Sequence, residues 1–324
     1  MNRQHNTVES AWLEIMGKCQ LECVHCYAES GPNAAHSTLT LLEWKGVADQ
    51  LNDLGCGLVQ LIGGEPTLHP DFAELTSYIL TSGMRVEVAT NLVHVTAPRW
   101  ELYQVGGMSL SVSYYGATAT EHASVTGTRG SHARTRANIA EAVRRGVPIR
   151  VGVIAVNDSQ DVEAAIADLR SLGVENVGVD DVRGVGRGAV HAGDEGMANL
   201  CGACGRGQLA VGPTGRVWPC VIGRGYPVGD VRSSLLSEIL VSPQFRETVA
   251  AIGAATGVDC GCGPDAHAAE ACGPHGCVPR IEAADHAHRS PCAPKPCNPD
   301  YGCRPQQPCK PNRAFSAETV TAAS

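Results

Sequence analysis

The chain has 324 residues, 43% of them hydrophobic and only 4% aromatic, which suggests roughly two domains with cores built mainly from Val, Leu, Ile and Ala. A formal net charge of −8 argues against the basic surface that nucleic-acid binding requires. No apolar run approaches the length of about 18 residues needed to span a membrane, and the polar start MNRQHNTVES lacks the apolar segment of an export signal, so a cytoplasmic location is expected, with no membrane or nucleic-acid partner.

Taken in order, the first strand spans Trp12–Met16 and leads into a loop holding Cys19, Cys23 and Cys26. Apolar residues at Leu41, Trp44, Val47, Ala48 and Leu51 recur every three or four positions and predict a helix over Leu41–Leu54. A strand at Leu58–Ile62 follows and runs into Gly63-Gly64-Glu65-Pro66, with a helix near Asp71–Ser82 behind it. Further strands are read at Arg85–Thr90, Met108–Ser113, Ile149–Val156 and Val174–Val179. The helices between them are a short one after Pro98, then Arg134–Arg145 and Asp161–Leu172. About six β/α units at this spacing imply a parallel sheet with helices outside, too few for a closed eight-stranded barrel. The fold class expected is α/β, an open, partial (β/α)6 barrel over residues 1–195.

Beyond about residue 195 Gly, Pro and Cys dominate and periodicity fades. Of the fifteen cysteines, four lie in the first 56 residues, none lies between 57 and 200, and eleven crowd residues 201–309. Without an export signal disulfides are a poor explanation, and metal ligation a better one. Residues 196–309 are thus expected to form a small cysteine-rich, loop-rich domain stapled by metal, and residues 310–324 a disordered tail.

Three cysteines supply one ligand fewer than a four-iron cluster has irons, which leaves one iron open for chemistry. The Cys-x3-Cys-x2-Cys loop after strand one, with Gly-Gly-Glu-Pro ending strand two, resembles the radical S-adenosylmethionine (radical SAM) enzymes over roughly residues 10–260. The usual aromatic residue before the third cysteine is His25 here, with Tyr27 directly after it. The resemblance implies a [4Fe–4S] cluster on Cys19, Cys23 and Cys26 that binds SAM through its open iron. One electron then yields a 5′-deoxyadenosyl radical, which abstracts hydrogen from a substrate. It also implies that Gly63, Gly64 and Glu65 hold the SAM amino group, and that Asn91 and Ser113, at the ends of strands three and four, face its carboxylate and ribose. Arg150 is a candidate partner for the SAM carboxylate, or a sheet-edge residue. Asp181–Gly188, with Arg183 and Arg187, reaches adenine, substrate carboxylate or water, and the sequence does not choose.

Cys204 and Cys220, framing Gly215, resemble the opening of the SPASM extension, which carries auxiliary iron–sulfur clusters on many peptide-modifying radical SAM enzymes. Residues Val228–Phe245 resemble the helix that follows. The pattern then departs from that family: Cys260 and Cys262 are one residue apart, and Cys272, Cys277, Cys292, Cys297, Cys303 and Cys309 follow at wide intervals. One or two auxiliary clusters are expected from these cysteines, with a structural zinc site in the tail as the alternative. Cys201 is a ligand or a spare, and Cys56 reads as a buried inert thiol.

The function expected is maturation of a ribosomally made precursor peptide by cross-link, oxidation or epimerisation. The alternatives are an oxidase or epimerase of a small metabolite, an activating maturase of another enzyme, and a cysteine-rich metal carrier or redox sensor. The expected partners are a precursor peptide or small-molecule substrate and an external electron donor of flavodoxin or ferredoxin type. The stretch before Trp12 is too short for a leader-recognition domain, so leader-peptide capture is expected to use a separate leader-peptide-binding protein or the barrel surface.

Overall fold

A computed structural model describes residues 7–193 and 196–257. Among the described residues nine strands form one sheet, in the order β6-β5-β4-β3-β2-β1-β7-β8-β9. The first six are β1 (Ser10–Met16), β2 (Leu58–Gly63), β3 (Arg85–Thr90), β4 (Met108–Tyr114), β5 (Ile149–Ala155) and β6 (Asn176–Asp181). Each pairs in parallel with the next, so the sheet curls as an open, partial barrel rather than closing. The remaining three are β7 (Gln208–Val211), β8 (Arg216–Trp218) and β9 (Gly229–Asp230). Of these β7 lies parallel to β1, while β8 and β9 continue antiparallel. The cysteine-rich part therefore adds strands to the barrel sheet at its free β1 edge, which periodicity alone did not foretell.

The helices are α1 (Leu41–Asp53), α2 (Phe72–Thr81), α3 (Ala97–Tyr103), α4 (Ala119–Thr126), α5 (Ser131–Arg144), α6 (Val162–Ser171), α7 (Ala189–Ala192), α8 (Leu236–Val241) and α9 (Pro243–Thr256). Of them, α1, α2, α3, α5 and α6 follow the sequence pattern, while α4 and α7 were not expected. In α1 the expected stripe of Trp44, Val47, Ala48 and Leu51 is buried, and Thr40 and Glu43 close a reciprocal capping box at its start. Pro98 falls in the first turn of α3, where its missing N–H costs nothing. The stretch from Val228 to Phe245 is not one helix: β9 comes first, and α8 stops at Ser242, whose side chain caps α9. Strand β6 begins two residues later than its apolar run suggested, because Val174 N–H still donates to Leu169 at the end of α6.

Two packed regions matter for the site. The main core joins the helices to the sheet through residues such as Leu13, Ile15, Leu61, Leu75, Val88 and Leu110. Arg136 of α5 grips Asp168 of α6 through two nitrogens, and Asp168 accepts from the Tyr114 hydroxyl of β4 at 2.7 Å, tying both helices to the sheet. A second apolar cluster, containing Trp12, Ile62, Cys204, Ala210, Trp218, Cys220 and Ile252, joins the barrel to the cysteine-rich part. Among the described residues no helix is long and apolar enough to cross a membrane.

Candidate active site

The loop after β1 is held by its backbone rather than by its cysteines. Cys19 N–H donates to Gly31, Val24 N–H to Val125 and Glu22 N–H to Thr126, so the end of α4 forms one wall of the loop. Helix α4 was missed in the sequence because its apolar residues are few; the Thr118/Glu121 capping box was the available signal. The opposite wall is the segment after β6. Arg187 N–H donates to Cys26 O at 3.1 Å, its Nε to Cys23 O at 2.8 Å and a terminal nitrogen to Ser30 O at 2.6 Å. Gly186 packs so closely that a Cβ there would meet the carbonyl oxygens of Tyr27 and Cys26. The glycines and arginine that the sequence left unassigned thus brace the cysteine loop.

The three thiols share one neighbourhood. Burial pushes the Cys23 thiol up to about 12, and the charges of Cys26 and Cys19 add to the rise while Arg187 opposes it. Burial likewise raises Cys19 to about 11, against a hydrogen bond from Leu21 N–H. Asn91 Nδ2 donates to Cys19 Sγ at 3.6 Å, placing the end of β3 against the loop. Three thiols near enough to act on one another's charge are a donor set suited to iron–sulfur chemistry. Among the described residues no three His, Cys, Asp or Glu groups converge on a single-ion site. A four-iron cube is larger than one ion and spaces its thiolates further apart.

The Gly-Gly-Glu-Pro turn seats against the same loop. A Cβ on Gly64 would meet Lys18 O and would lie 2.7 Å from Gly17 O, and one on Gly63 would meet Met16 O, so only glycine lets this turn approach. Gly64 N–H donates to Met16 O and Glu65 N–H to Lys18 O. Glu65 is 1% exposed, and its carboxylate accepts from Thr67 N and Oγ1, Thr90 Oγ1 and Asn91 N. Burial raises its pKa, and those four donors oppose the rise. Of the two roles open to Glu65, a free charge or a turn lock, the geometry supports the lock.

One cavity of about 210 Å³ opens inside the sheet toward the carboxyl ends of its strands. Its walls include His25 and Tyr27, on either side of Cys26, with Trp12, Gln60, Ser113 and Arg150 from the strands and Val221 and Ile222 from the segment just after Cys220. Burial, with the charges of His191 and Arg187 adding, pushes His25 down to about 4, so its ring is neutral at pH 7. The Ser113 side chain is hydrogen-bonded to Tyr115, whose ring packs edge-on to His25 at 5.1 Å. Arg150 makes two bonds of 2.8 and 2.7 Å to Glu87 on β3, so its charge is already matched within the barrel.

Cys204 and Cys220 are both 1% exposed, and their sulfur atoms lie 2.7 Å apart. That is beyond a disulfide bond length of roughly 2.05 Å. A small cavity of about 50 Å³ reaches from Cys201 to Cys220 and shares Asp180, Arg183 and Ile222 with the larger one. Cys201 is therefore placed beside the pair. Cys260, Cys262, Cys272, Cys277, Cys292, Cys297, Cys303 and Cys309, and the tail 310–324, lie outside the described residues. Cys56 sits apart, its thiol donating to Leu58 O at 3.3 Å.

A model of the radical SAM superfamily matches residues 13–179, and a second model, SPASM, an iron-sulfur cluster-binding domain, matches residues 201–272. The AdoMet-dependent heme synthase of Methanosarcina barkeri is 34% identical over 142 residues, 44% of this chain and 40% of that protein. The antilisterial bacteriocin subtilosin biosynthesis protein AlbA of Bacillus subtilis is 29% identical over 187 residues, 56% of this chain and 41% of that one. The mycofactocin maturase MftC of Mycobacterium tuberculosis is 33% identical over 150 residues, 45% and 38% of the two chains. The matches thus span about two fifths of these relatives' lengths. Among solved structures, Streptococcus suis SuiB bound to S-adenosylmethionine superposes with a TM-score of 0.62 at 14% identity, covering 75% of this chain and 68% of that one. AdoMet-bound anSMEcpe gives 0.59 at 13%, covering 74% and 82%. These likenesses establish the shared fold.

Proposed function

The chain belongs to the radical SAM superfamily, and we propose that within it this protein is an enzyme that modifies a ribosomally made precursor peptide. The observation that carries the reading is the single cavity bordered by residues flanking Cys26 on one side and residues following Cys220 on the other. A substrate lying there is within reach of both cysteine sets. The relatives named for subtilosin biosynthesis and mycofactocin maturation support a peptide as that substrate. The heme synthase relative favours the second reading, a small-molecule substrate in the same cavity.

Cys19, Cys23 and Cys26 would hold a [4Fe–4S] cluster, and Gly63, Gly64, Glu65, Asn91 and Ser113 would frame SAM. When bound, cluster and SAM supply one-electron cleavage of the sulfonium and hydrogen abstraction from an unactivated carbon. This chain's residues do the rest. Glu65 locks the turn so that its backbone is presented to the ligand, and Arg187 holds the cysteine loop closed over the barrel. His25, Tyr27 and Trp12 wall the cavity against water. Arg150, matched by Glu87, shapes the floor and leaves little charge for a SAM carboxylate. Cys204 and Cys220, with cysteines beyond residue 257, would hold one or two auxiliary clusters that accept an electron from substrate or build its pocket. The chain divides functionally near residue 195, a division supported by cysteine content rather than by the sheet, which runs through it. A cytoplasmic location, a flavodoxin- or ferredoxin-type donor and a separate leader-peptide-binding protein complete the proposal.

The test is anaerobic reconstitution followed by reduction with SAM present. Formation of 5′-deoxyadenosine, and a mass change in a short peptide encoded beside the gene, is the expected result. Bound zinc without SAM cleavage would replace the proposal with a metal carrier.

A further inference from the structure

Six buried side-chain polar atoms among the described residues have no hydrogen-bond partner, and two of them, Gln60 Nε2 and His25 Nδ1, belong to residues that line the cavity of about 210 Å³ inside the sheet. Gln60 is 3% exposed on β2, with Trp12 of β1 and Glu87 of β3 as its register neighbours. Glu87 makes no hydrogen bond to the amide; its two oxygens accept from Arg150. An unanswered buried N–H carries a desolvation penalty that an apolar residue of the same size would avoid. Leucine or methionine would fill this position in an ordinary barrel interior. The cavity that the amide borders has apolar walls in Trp12, Ile62, Val112 and Ile154 and polar ones in Ser111, Arg150 and Asp180.

We propose that Gln60 recognises the substrate, donating from Nε2 to a peptide carbonyl oxygen presented beside an apolar side chain. The inference rests on the reading of this cavity as the reaction chamber. The alternative source of such an oxygen is SAM itself. Under the proposed function SAM is held at the strand ends by Gly63 and Gly64, and Gln60 lies three residues, roughly 10 Å, deeper along β2. That depth assigns the amide to the substrate. Leaving the donor unpaired until substrate arrives also gives selectivity. A ligand lacking the acceptor oxygen would bury the N–H without repaying its lost hydration.

The experiment compares wild type with Gln60→Leu as full chains reconstituted anaerobically, without reductant, so that SAM is bound but not cleaved. Calorimetry follows SAM alone, then N-acetylleucine N-methylamide added to the SAM complex as a peptide-bond probe. The variant is expected to melt at or above the wild-type temperature, to bind SAM unchanged and to bind the probe roughly tenfold more weakly. A tenfold loss of SAM affinity would give the amide to the cosubstrate and overturn the proposal. Equal probe binding by the two proteins, no probe binding by wild type, or a lower melting temperature in the variant would each overturn it as well. Failure of wild type to bind SAM would instead strike at the proposed function, so the two failures are separable.

Discussion

The two cysteine-bearing regions solve opposite problems. The loop of Cys19, Cys23 and Cys26 is assembled from outside, by carbonyls of α4 and by the Arg187 guanidinium, and its flanking residues open onto a cavity. Cys204 and Cys220 are instead enclosed among Trp12, Trp218, Val221 and Ile252, with a strand pair behind them. Under the proposed function the first loop has to admit ligands, and it takes its rigidity from backbone hydrogen bonds. A staple needs no access and takes its rigidity from packing. The same residue type is thus put to different use by its surroundings.

The comparison can be broken most directly by exchanging which thiol is lost. Cys19→Ala should abolish 5′-deoxyadenosine formation in the reduced protein, whereas Cys204→Ala should lower iron content yet leave SAM cleavage measurable while losing product. Equal loss of cleavage in both would erase the distinction. Next in size is Arg187→Ala, which removes two side-chain bonds to the carbonyls of Cys23 and Ser30. It should destabilise the loop by about 2–3 kcal/mol. Iron at the first site should then be released to chelator faster, with the second site unaffected, and lysine should not restore it, since one ammonium does not reproduce the guanidinium fork.

Acid should also separate the regions. His122 on α4 is buried between Tyr114, Tyr115 and His132, and burial, with the His132 charge adding, pushes it down to about 4. Between its ordinary value of 6.5 and about 4 the unfolded chain binds a proton that the folded chain refuses, so stability falls as pH falls through that window. The loss approaches about 3 kcal/mol at its acid end. Because α4 walls the first loop, iron release on acidification should begin there, and His122→Phe should flatten the pH dependence of melting across that range. The smallest effect is expected at Cys56, which belongs to neither set. Cys56→Ala should cost about 1 kcal/mol in denaturant unfolding and leave iron content unchanged.

Particular residues show where the sequence was readable and where it was not. The α1 stripe and the bounds of β3 were legible because one apolar face per element repeats with the period of its backbone. The three-cysteine spacing was legible because its members are neighbours along the chain. Arg187 and Gly186 were not, since their partners lie about 160 residues away and no local pattern marks a brace. Strand β7 was hidden for a related reason. Its four residues are buried by pairing with β1 across nearly 200 positions, and a strand that short carries little periodicity of its own.

By itself, then, the sequence determined the parallel β/α layout and marked out the three-cysteine loop, because periodicity and residue spacing are written locally. Only the tertiary structure decided that Glu65 locks a turn, that Arg150 is matched by Glu87, and that one cavity is bordered by chain neighbours of both Cys26 and Cys220. Those facts depend on which distant groups share a dry space, and hydrogen bonding in a low-dielectric interior is settled by position rather than by order along the chain.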